Sequence, residues 1–573
     1  MPTPRPETFA DVAALVRAEE VGRRATIDGP FGPRLVCYAD LTATGRFLRF
    51  AERWLRKVRP YYANSHTAVS TTGALMTRLR EDARAVVARA CGAGPDDVVV
   101  FTGSGATAAV NKLVGLLGWR IPEPLERAYA LSRHVPAGER PVIFVGPYEH
   151  HSNELPWRET VADVVEIALD GDGAVDLVDL AEKLARYADR PLKLGAFSAA
   201  SNVTGVLTDV HAIARVLHHG GAWAVMDYAA AGPYVPIAMH PPGDPDARLD
   251  AIVLSTHKFM AGPQASGVLV AHRDLFRSRV PERPGGGTVD YVSGGGAVDY
   301  TAHLAEREEG GTPAIIGDLR AGVAFLVKEL AGPERVRDHE VALARHAVAR
   351  LAAHPRVSVL GPPDLDRLAI ISFSVDGLHH DLVSALLDHL FGVQNRAGCS
   401  CAGPYGHRLL GIDRPTSDRF RDLIQRGVNG IKPGWVRLSL PWYASAADVD
   451  FILDAALFVA DHGDAFVPAY RLDWGDGVWH PIHAPEPRAM AVSLDIDALL
   501  GALDTPLLDE APLGEAELAD TRARYFAEAR ALAERLRAAH GPRAGAARPP
   551  TGDAEVDSLV WFDYCEATPL SPR

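Results

Sequence analysis

The sequence predicts an α/β protein: a mostly parallel central sheet with helices on both faces, then a smaller α+β domain and a C-terminal extension. Three observations predict it. Between residues 75 and 276, short apolar runs alternate with amphipathic runs, as in strand–helix–strand crossovers. The apolar runs are largely continuous, as strands buried on both faces require. Unusual residues stand just after the runs, and ligands of such sheets lie beyond the carboxyl ends of the strands.

Residues 1–35 read as a leading segment with one helix and a lead-in strand. The large domain, expected over 36–332, opens with a strand in VCYADLTATGR (36–46) and a helix in LRFAERWLRKV. The polar loop YYANSHTAVSTTG (61–73) is too long for a plain connector, and such loops often line sites. Strands are expected at Asp97–Phe101, Val142–Gly146, Lys193–Ser198, Ala222–Asp227, Ala251–Leu254 and Gly267–Ala271, with helices at Leu177–Tyr187 and Val210–His218. The amphipathic run LRAGVAFLVKEL (319–330) leads to the small domain, 333–462, with a helix at Glu340–Ala352 and a strand at Leu368–Ser374. Residues 463–573 form the extension. VPAYRLDWGDGVWHP reads as strand and turn, Gly514–His540 as a long helix, GPRAGAARPPTGDAE as a linker, and the aromatic tail as a docking segment.

With 573 residues, 47% hydrophobic and 23% charged, the chain is long enough for two or three domains. A net charge of −14 argues against nucleic acid or an anionic membrane surface as partner. No apolar run is long enough to span a bilayer, and the first residues hold no secretory signal. The five cysteines, Cys37, Cys91, Cys399, Cys401 and Cys565, are too few and irregular for a disulfide framework, so a cytoplasmic location is expected.

Chemistry concentrates at the strand ends. The run ending at Phe101 is followed by TGSGATAAVN, a glycine-rich turn into a helix whose first amides, at Ala106 and its neighbours, can cradle phosphate with the Thr107 hydroxyl. It lacks the Walker lysine and the dinucleotide glycine spacing, which disfavours a nucleotide. Next come His150 and His151, an imidazole being able to stack on a planar heterocycle, and then Asn202 in SAASNVTGV. Asp227 closes an otherwise apolar strand, and a buried carboxylate there needs a cationic partner such as a pyridinium nitrogen. Lys258, after Ala251–Leu254, sits where desolvation frees a nucleophilic amine. Such an amine condenses with the aldehyde of pyridoxal 5'-phosphate.

In their order these residues resemble the class V aminotransferase family of fold-type I pyridoxal-phosphate enzymes, and within it the cysteine desulfurases, over about 36–460. The matching stretches are GATAAVN, EHHSN, SNVTG, D-x-A-A and S-x-H-K. The resemblance implies that His150 stacks on the ring, Asn202 and Asp227 bind it, and Ser255 and His257 join Thr107 at the phosphate. It also implies a homodimer in which Thr312, from EEGGTP, reaches the phosphate of the other subunit. One departure is Ala230, where desulfurases usually carry glutamine.

RAGCSCAGP brings two thiols two residues apart beside Arg396. The pair is open to three readings: half a zinc site, for which His407 is poor company; two inert cysteines; or reactive thiols in an electropositive, glycine-bounded loop. The segment resembles the R-x-G-x-x-C loop of Suf-type desulfurases, which aligns Cys401 with the sulfur-accepting cysteine. Its R-x-G-C-x-C form is closer to the desulfurase domain of molybdenum cofactor sulfurases. The role of Cys399 stays open. Arg437, in VRLSLPWY, matches the family's clamp on the substrate carboxylate, with Arg396 as a second substrate-binding candidate.

The function implied is pyridoxal-phosphate-dependent removal of sulfur from L-cysteine, giving alanine and a persulfide on Cys401. The catalytic residues would be Lys258, Cys401 and His150, with no metal, and a sulfur-acceptor protein is a possible partner. The alternatives are a lyase, aminotransferase or epimerase of the same fold that needs no thiol, and a coenzyme-binding scaffold without catalysis.

Overall fold

The computed structural model describes residues 6–483, 495–501, 513–541 and 548–570. The chain divides into two compact units. One takes the chain up to Val12, Thr42–Val341 and Pro362–Leu368; the other takes Ala13–Leu41, Ala342–Gly361 and the chain from Ala369 onward.

The first unit is built on a seven-stranded sheet. Its spatial order is Asp97–Thr102, Gly267–His272, Ala251–Leu254, Trp223–Asp227, Lys193–Ser198, Val142–Val145 and Asp163–Glu166. The last five run parallel, whereas Gly267–His272 is antiparallel to both neighbours. Every residue of Val142–Val145, Lys193–Ser198 and Ala251–Leu254 is buried, which explains why these runs lack a polar face. Asp163–Glu166 escapes the sequence reading because it is a half-buried edge strand.

The covering helices carry their own start signals. Asp176 accepts hydrogen bonds from the amides of Val178 and Asp179 at the start of Leu177–Arg186, which buries Leu180 and Leu184. Asp209 caps Val210–His219 through the Ala212 amide. The helix Gly105–Leu117 buries Ala109, Val110, Leu113 and Leu117 against the sheet, so its first turn is fixed at the strand ends.

The second unit carries a four-stranded antiparallel sheet in the order Val357–Val359, Ile370–Val375, Trp435–Ser439 and Arg396–Gly398. Helices His380–Phe391 and Ala446–Phe466 belong to its core, and the second starts on a capping box between Ser445 and Asp448. The extension shares this core. Its helix Glu515–His540 buries Tyr525, Ala529 and Ala533 in the cluster that holds Phe391, Phe451 and Phe458. Tyr470–Leu472 pairs with Trp479–Pro481 and, in parallel, with Glu566–Ala567. The hairpin Thr26–Gly29/Gly32–Leu35 lies in the same unit, tied to the extension where the Leu35 amide donates to Tyr525 Oη at 3.1 Å. Residues 542–547, within the expected linker, lie outside the described residues.

Candidate active site

The strand Ala251–Leu254 ends in a short turn, Thr256–Lys258, in which the Lys258 amide bonds back to Ser255 O at 2.9 Å. Lys258 is half-buried at the sheet rim. A second segment straps the turn: the Gly45 amide (2.9 Å) and Thr44 Oγ1 (3.1 Å) both donate to His257 O. Only glycine fits at 45, since a Cβ there would stand 1.9 Å from Phe259 O.

Ser255 and His257 close on the start of the Gly105–Leu117 helix. Ser104 gives this helix no side-chain cap; Ser255 Oγ instead accepts from the Ala106 amide at 2.9 Å. Gly105 adopts φ +59°, and a Cβ on it would come within 2.7 Å of both the His257 ring and Ser255 Oγ. The glycine therefore lets Ser255 and His257 close on the helix start beside the exposed Thr107, whose hydroxyl pairs with Ser152 Oγ at 2.7 Å. Such a donor set can hold a phosphate. Burial, reinforced by the charge of Lys258, depresses His257 to a pKa of about 4, so the ring is neutral near pH 7.

Asp227 ends its strand fully buried, with one oxygen accepting from the Ala229 amide at 2.7 Å. Burial raises its pKa, opposed by that hydrogen bond and by the charge of Lys258. A cationic ring nitrogen is the partner such a carboxyl suits. Two strands away, Glu149 is a second buried carboxyl that sequence reasoning did not single out. It receives Asn153 Nδ2 at 2.6 Å and the Ser198 amide and hydroxyl at 2.8 and 2.6 Å, binding the ends of Val142–Val145 and Lys193–Ser198 together. Burial lifts it to about 8 against these hydrogen bonds, with the charge of Asp227 adding to the rise. Its sequence signal was the one that marked Asp227: an acid closing an apolar run. His150 follows directly, half-buried, its Nδ1 accepting from the Ser152 amide at 3.0 Å. Asn202 is buried in the turn after Lys193–Ser198.

Behind the lysine turn stands a buried ionic frame. Thr256 Oγ1 donates to Ser266 O, Ser266 Oγ to Asp318 at 2.5 Å, and Arg80 bridges Asp318 (2.7 Å) to Glu309. Glu309, the glutamate just ahead of GGTP, also accepts from Arg84 at 2.9 Å and from the Phe101 amide at 2.6 Å. Burial raises Glu309, yet Arg84 and Arg80 outweigh it and hold the carboxyl below its ordinary range. Burial wins at Asp318, raised to about 6. Thr312 lies on the exposed loop beyond, where its hydroxyl receives Asn64 Nδ2 at 3.4 Å.

Thus Ala106, Thr107, His150, Asp227, Ser255, His257 and Lys258 are linked within the first unit. Asn202 and Thr312 belong to that unit as well, whereas Cys399, Cys401, Arg396 and Arg437 belong to the second. Cys399 and Cys401 are both exposed. Arg396 and Arg437 share one carboxylate that sequence reasoning missed: Asp40 Oδ2 receives Arg396 at 3.1 Å, and Oδ1 receives the buried Arg437 at 2.9 Å. Among the described residues, one cluster has metal-type ligands, His379, His380 and Asp381. It reads as a helix cap. His379, held neutral by burial, accepts from the Asp381 amide through Nδ1 at 3.2 Å, so its proton occupies Nε2 and no lone pair is left there for an ion. No helix among the described residues is long and apolar enough to cross a membrane.

The fold is that of solved cysteine desulfurases. One from Thermococcus onnurineus superposes with a TM-score of 0.60 at 26% identity, covering 74% of this chain and 95% of its own. One from Escherichia coli shares the fold, with a TM-score of 0.57 at 24% identity over 76% of this chain and 97% of that one. Residues 38–452 match the class-V aminotransferase family, and the chain belongs to it. A probable cysteine desulfurase from Halalkalibacterium halodurans is 31% identical over 350 residues, 60% of this chain and 79% of that protein. Another, from Streptomyces coelicolor, is 29% identical over 399 residues, 69% and 84% of the two chains. Members of this family are in general pyridoxal-phosphate enzymes, and this one is cysteine desulfurase-like in sequence and fold.

Proposed function

We propose that the protein is a cysteine desulfurase that carries the abstracted sulfur on Cys401. Pyridoxal phosphate, when bound, supplies an aldehyde for an amine and a ring that draws electrons from the substrate α-carbon. The residues that would hold it are the Ala106 amide, Thr107, Ser255 and His257 at the phosphate, Asp227 at the ring nitrogen, and Asn202 and His150 about the ring. Lys258 Nζ would hold the coenzyme through its aldehyde, and the same amine would move the proton at the substrate α-carbon. Arg437, with Arg396, takes the substrate carboxylate, in exchange for part of the charge now spent on Asp40. The Cys401 sulfur attacks the substrate sulfur. A carbon–sulfur bond breaks, a sulfur–sulfur bond forms, and the carbon keeps the electron pair and takes a proton, giving alanine and a Cys401 persulfide.

The observation that carries the choice is the exposed Cys401 thiol in a chain whose first unit has Lys258, the buried Asp227 and the Ser255–Ala106 contact at one sheet rim. A lyase, aminotransferase or epimerase of this fold needs no such thiol. The test is Cys401→Ser in coenzyme-loaded protein supplied with L-cysteine. Loss of alanine and sulfide with the bound coenzyme's colour intact supports desulfuration; full retention of both products, or keto acid in their place, overturns it.

A further inference from the structure

Cys399, like Cys401, is exposed, and the backbone presents the two thiols together. The Ala402 amide donates to Cys399 O at 3.2 Å, closing a four-residue turn. Its two central residues, Ser400 and Cys401, have φ +50° and +55°. Both angles are left-handed, the pattern of a type I′ turn, which favours Asn-Gly and costs other L-residues about 1–2 kcal/mol each. The turn is held at both ends. Gly398 pairs with Trp435 in the sheet, and Ala402, fully buried, begins the helical segment Gly403–Leu409, its carbonyl receiving the Gly406 amide at 2.8 Å. Between these anchors the Ser400 Oγ is buried while the thiols on either side face outward. Successive Cα atoms are about 3.8 Å apart, so two residues separated by one in a tight turn lie within the Cα spacing across which sulfurs bond.

Resting on the reading of Cys401 as sulfur carrier, we propose that Cys399 is a second carrier, which takes the outer sulfur from Cys401 by exchange within the turn. The Cys399 thiolate attacks the terminal sulfur of the Cys401 persulfide. The new sulfur–sulfur bond forms on Cys399, the old one breaks, and Cys401 leaves as thiolate with the proton shared between them. One persulfide and one thiol are present before and after, so no oxidant or reductant is consumed. Exchange between two like thiols is close to balanced, and its consequence is capacity: Cys401 is free to accept again before any sulfur has left the protein.

The test is the pre-steady-state burst of alanine, ahead of the slower turnover in which L-cysteine itself takes the sulfur, from coenzyme-loaded protein given L-cysteine and no other thiol, with the alkylated 399–401 peptide mapped by mass spectrometry. The expected burst is two alanines per chain for the wild type, one for Cys399→Ser and Cys399→Ala, and none for Cys401→Ser, with an added sulfur on each cysteine of the wild type. A single alanine from both wild type and Cys399→Ser, or two from both, overturns the relay and leaves Cys401 as carrier. No burst in the wild type, or an undiminished one in Cys401→Ser, overturns the carrier reading and the relay with it.

Discussion

Gly105→Ala probes the proposed phosphate cradle most directly. At φ +59° an alanine pays about 1–2 kcal/mol for the left-handed backbone, whether or not coenzyme is bound. Its methyl would meet Ser255 Oγ and the His257 ring, both at 2.7 Å, so each must withdraw. Withdrawal of Ser255 breaks its bond with the Ala106 amide, at a cost of about 1 kcal/mol. The apoprotein should therefore lose about 2–3 kcal/mol of stability in urea. The affinity for coenzyme reports something separate. If these two side chains contact the phosphate, losing one hydrogen bond to a charged group costs about 1.5–3 kcal/mol, roughly a 10- to 150-fold rise in Kd. Titration of folded apoprotein with pyridoxal phosphate, followed by absorbance, measures it. A destabilised variant whose Kd stays within about threefold of wild type would show that Gly105 serves the fold alone and that the phosphate is held elsewhere.

Three further outcomes follow from the buried groups. Glu149 has its folded pKa raised from 4.5 to about 8, so it stabilises fully below pH 4.5 and that contribution is lost as pH rises through about 8. Glu149→Gln has no such term; between about pH 6 and 7.5 its stability relative to wild type should improve by about 2 kcal/mol, read from urea midpoints at the two pH values. Glu309→Gln leaves Arg80 and Arg84 without their shared counter-charge and should cost about 3–5 kcal/mol in urea unfolding, whereas a loss under about 1 would show the frame to be dispensable. Tyr525→Ala should cost about 3–5 kcal/mol and Tyr525→Phe about 1, since the ring is buried and its hydroxyl accepts from the Leu35 amide. Equal, small effects from both would mean that the extension does not contribute to the second unit's core.

What was legible in the sequence follows from how far each signal reaches along the chain. Lys193–Ser198 and Ala251–Leu254 were read to the residue, because a strand buried on both faces prints itself as an unbroken apolar run. The direction of Gly267–His272 was not: a buried run looks the same whichever way it points, and only its pairing with Asp97–Thr102 and Ala251–Leu254 fixes it. Asp227 and Lys258 were legible because a charged group at the end of such a run contradicts its surroundings. Glu149 obeys the same rule, but in EHHSN its signal stands beside two histidines that carry a stronger one.

Asp40 marks a different boundary. Its partners lie 356 and 397 residues away, and nothing about an acid in a small-residue turn foretells two arginines. The consequence reaches the chemistry. The sequence offers Arg396 as a positive charge that would favour a thiolate, and the family resemblance makes Arg437 the clamp on the substrate carboxylate; in the structure one carboxylate engages both guanidiniums. On the proposed reading, a substrate carboxylate taken by these arginines must compete with Asp40, and its binding energy is the difference between two ion pairs instead of the whole of one. Asp40→Asn should accordingly tighten an anionic substrate analogue, lowering its Kd severalfold in coenzyme-loaded protein, while Asp40→Ala, which removes the oxygen as well as the charge, destabilises the buried Arg437 and the fold around it. Weaker analogue binding in Asp40→Asn, with stability unchanged, would mean that Asp40 orients the arginines for substrate and does not contend with it.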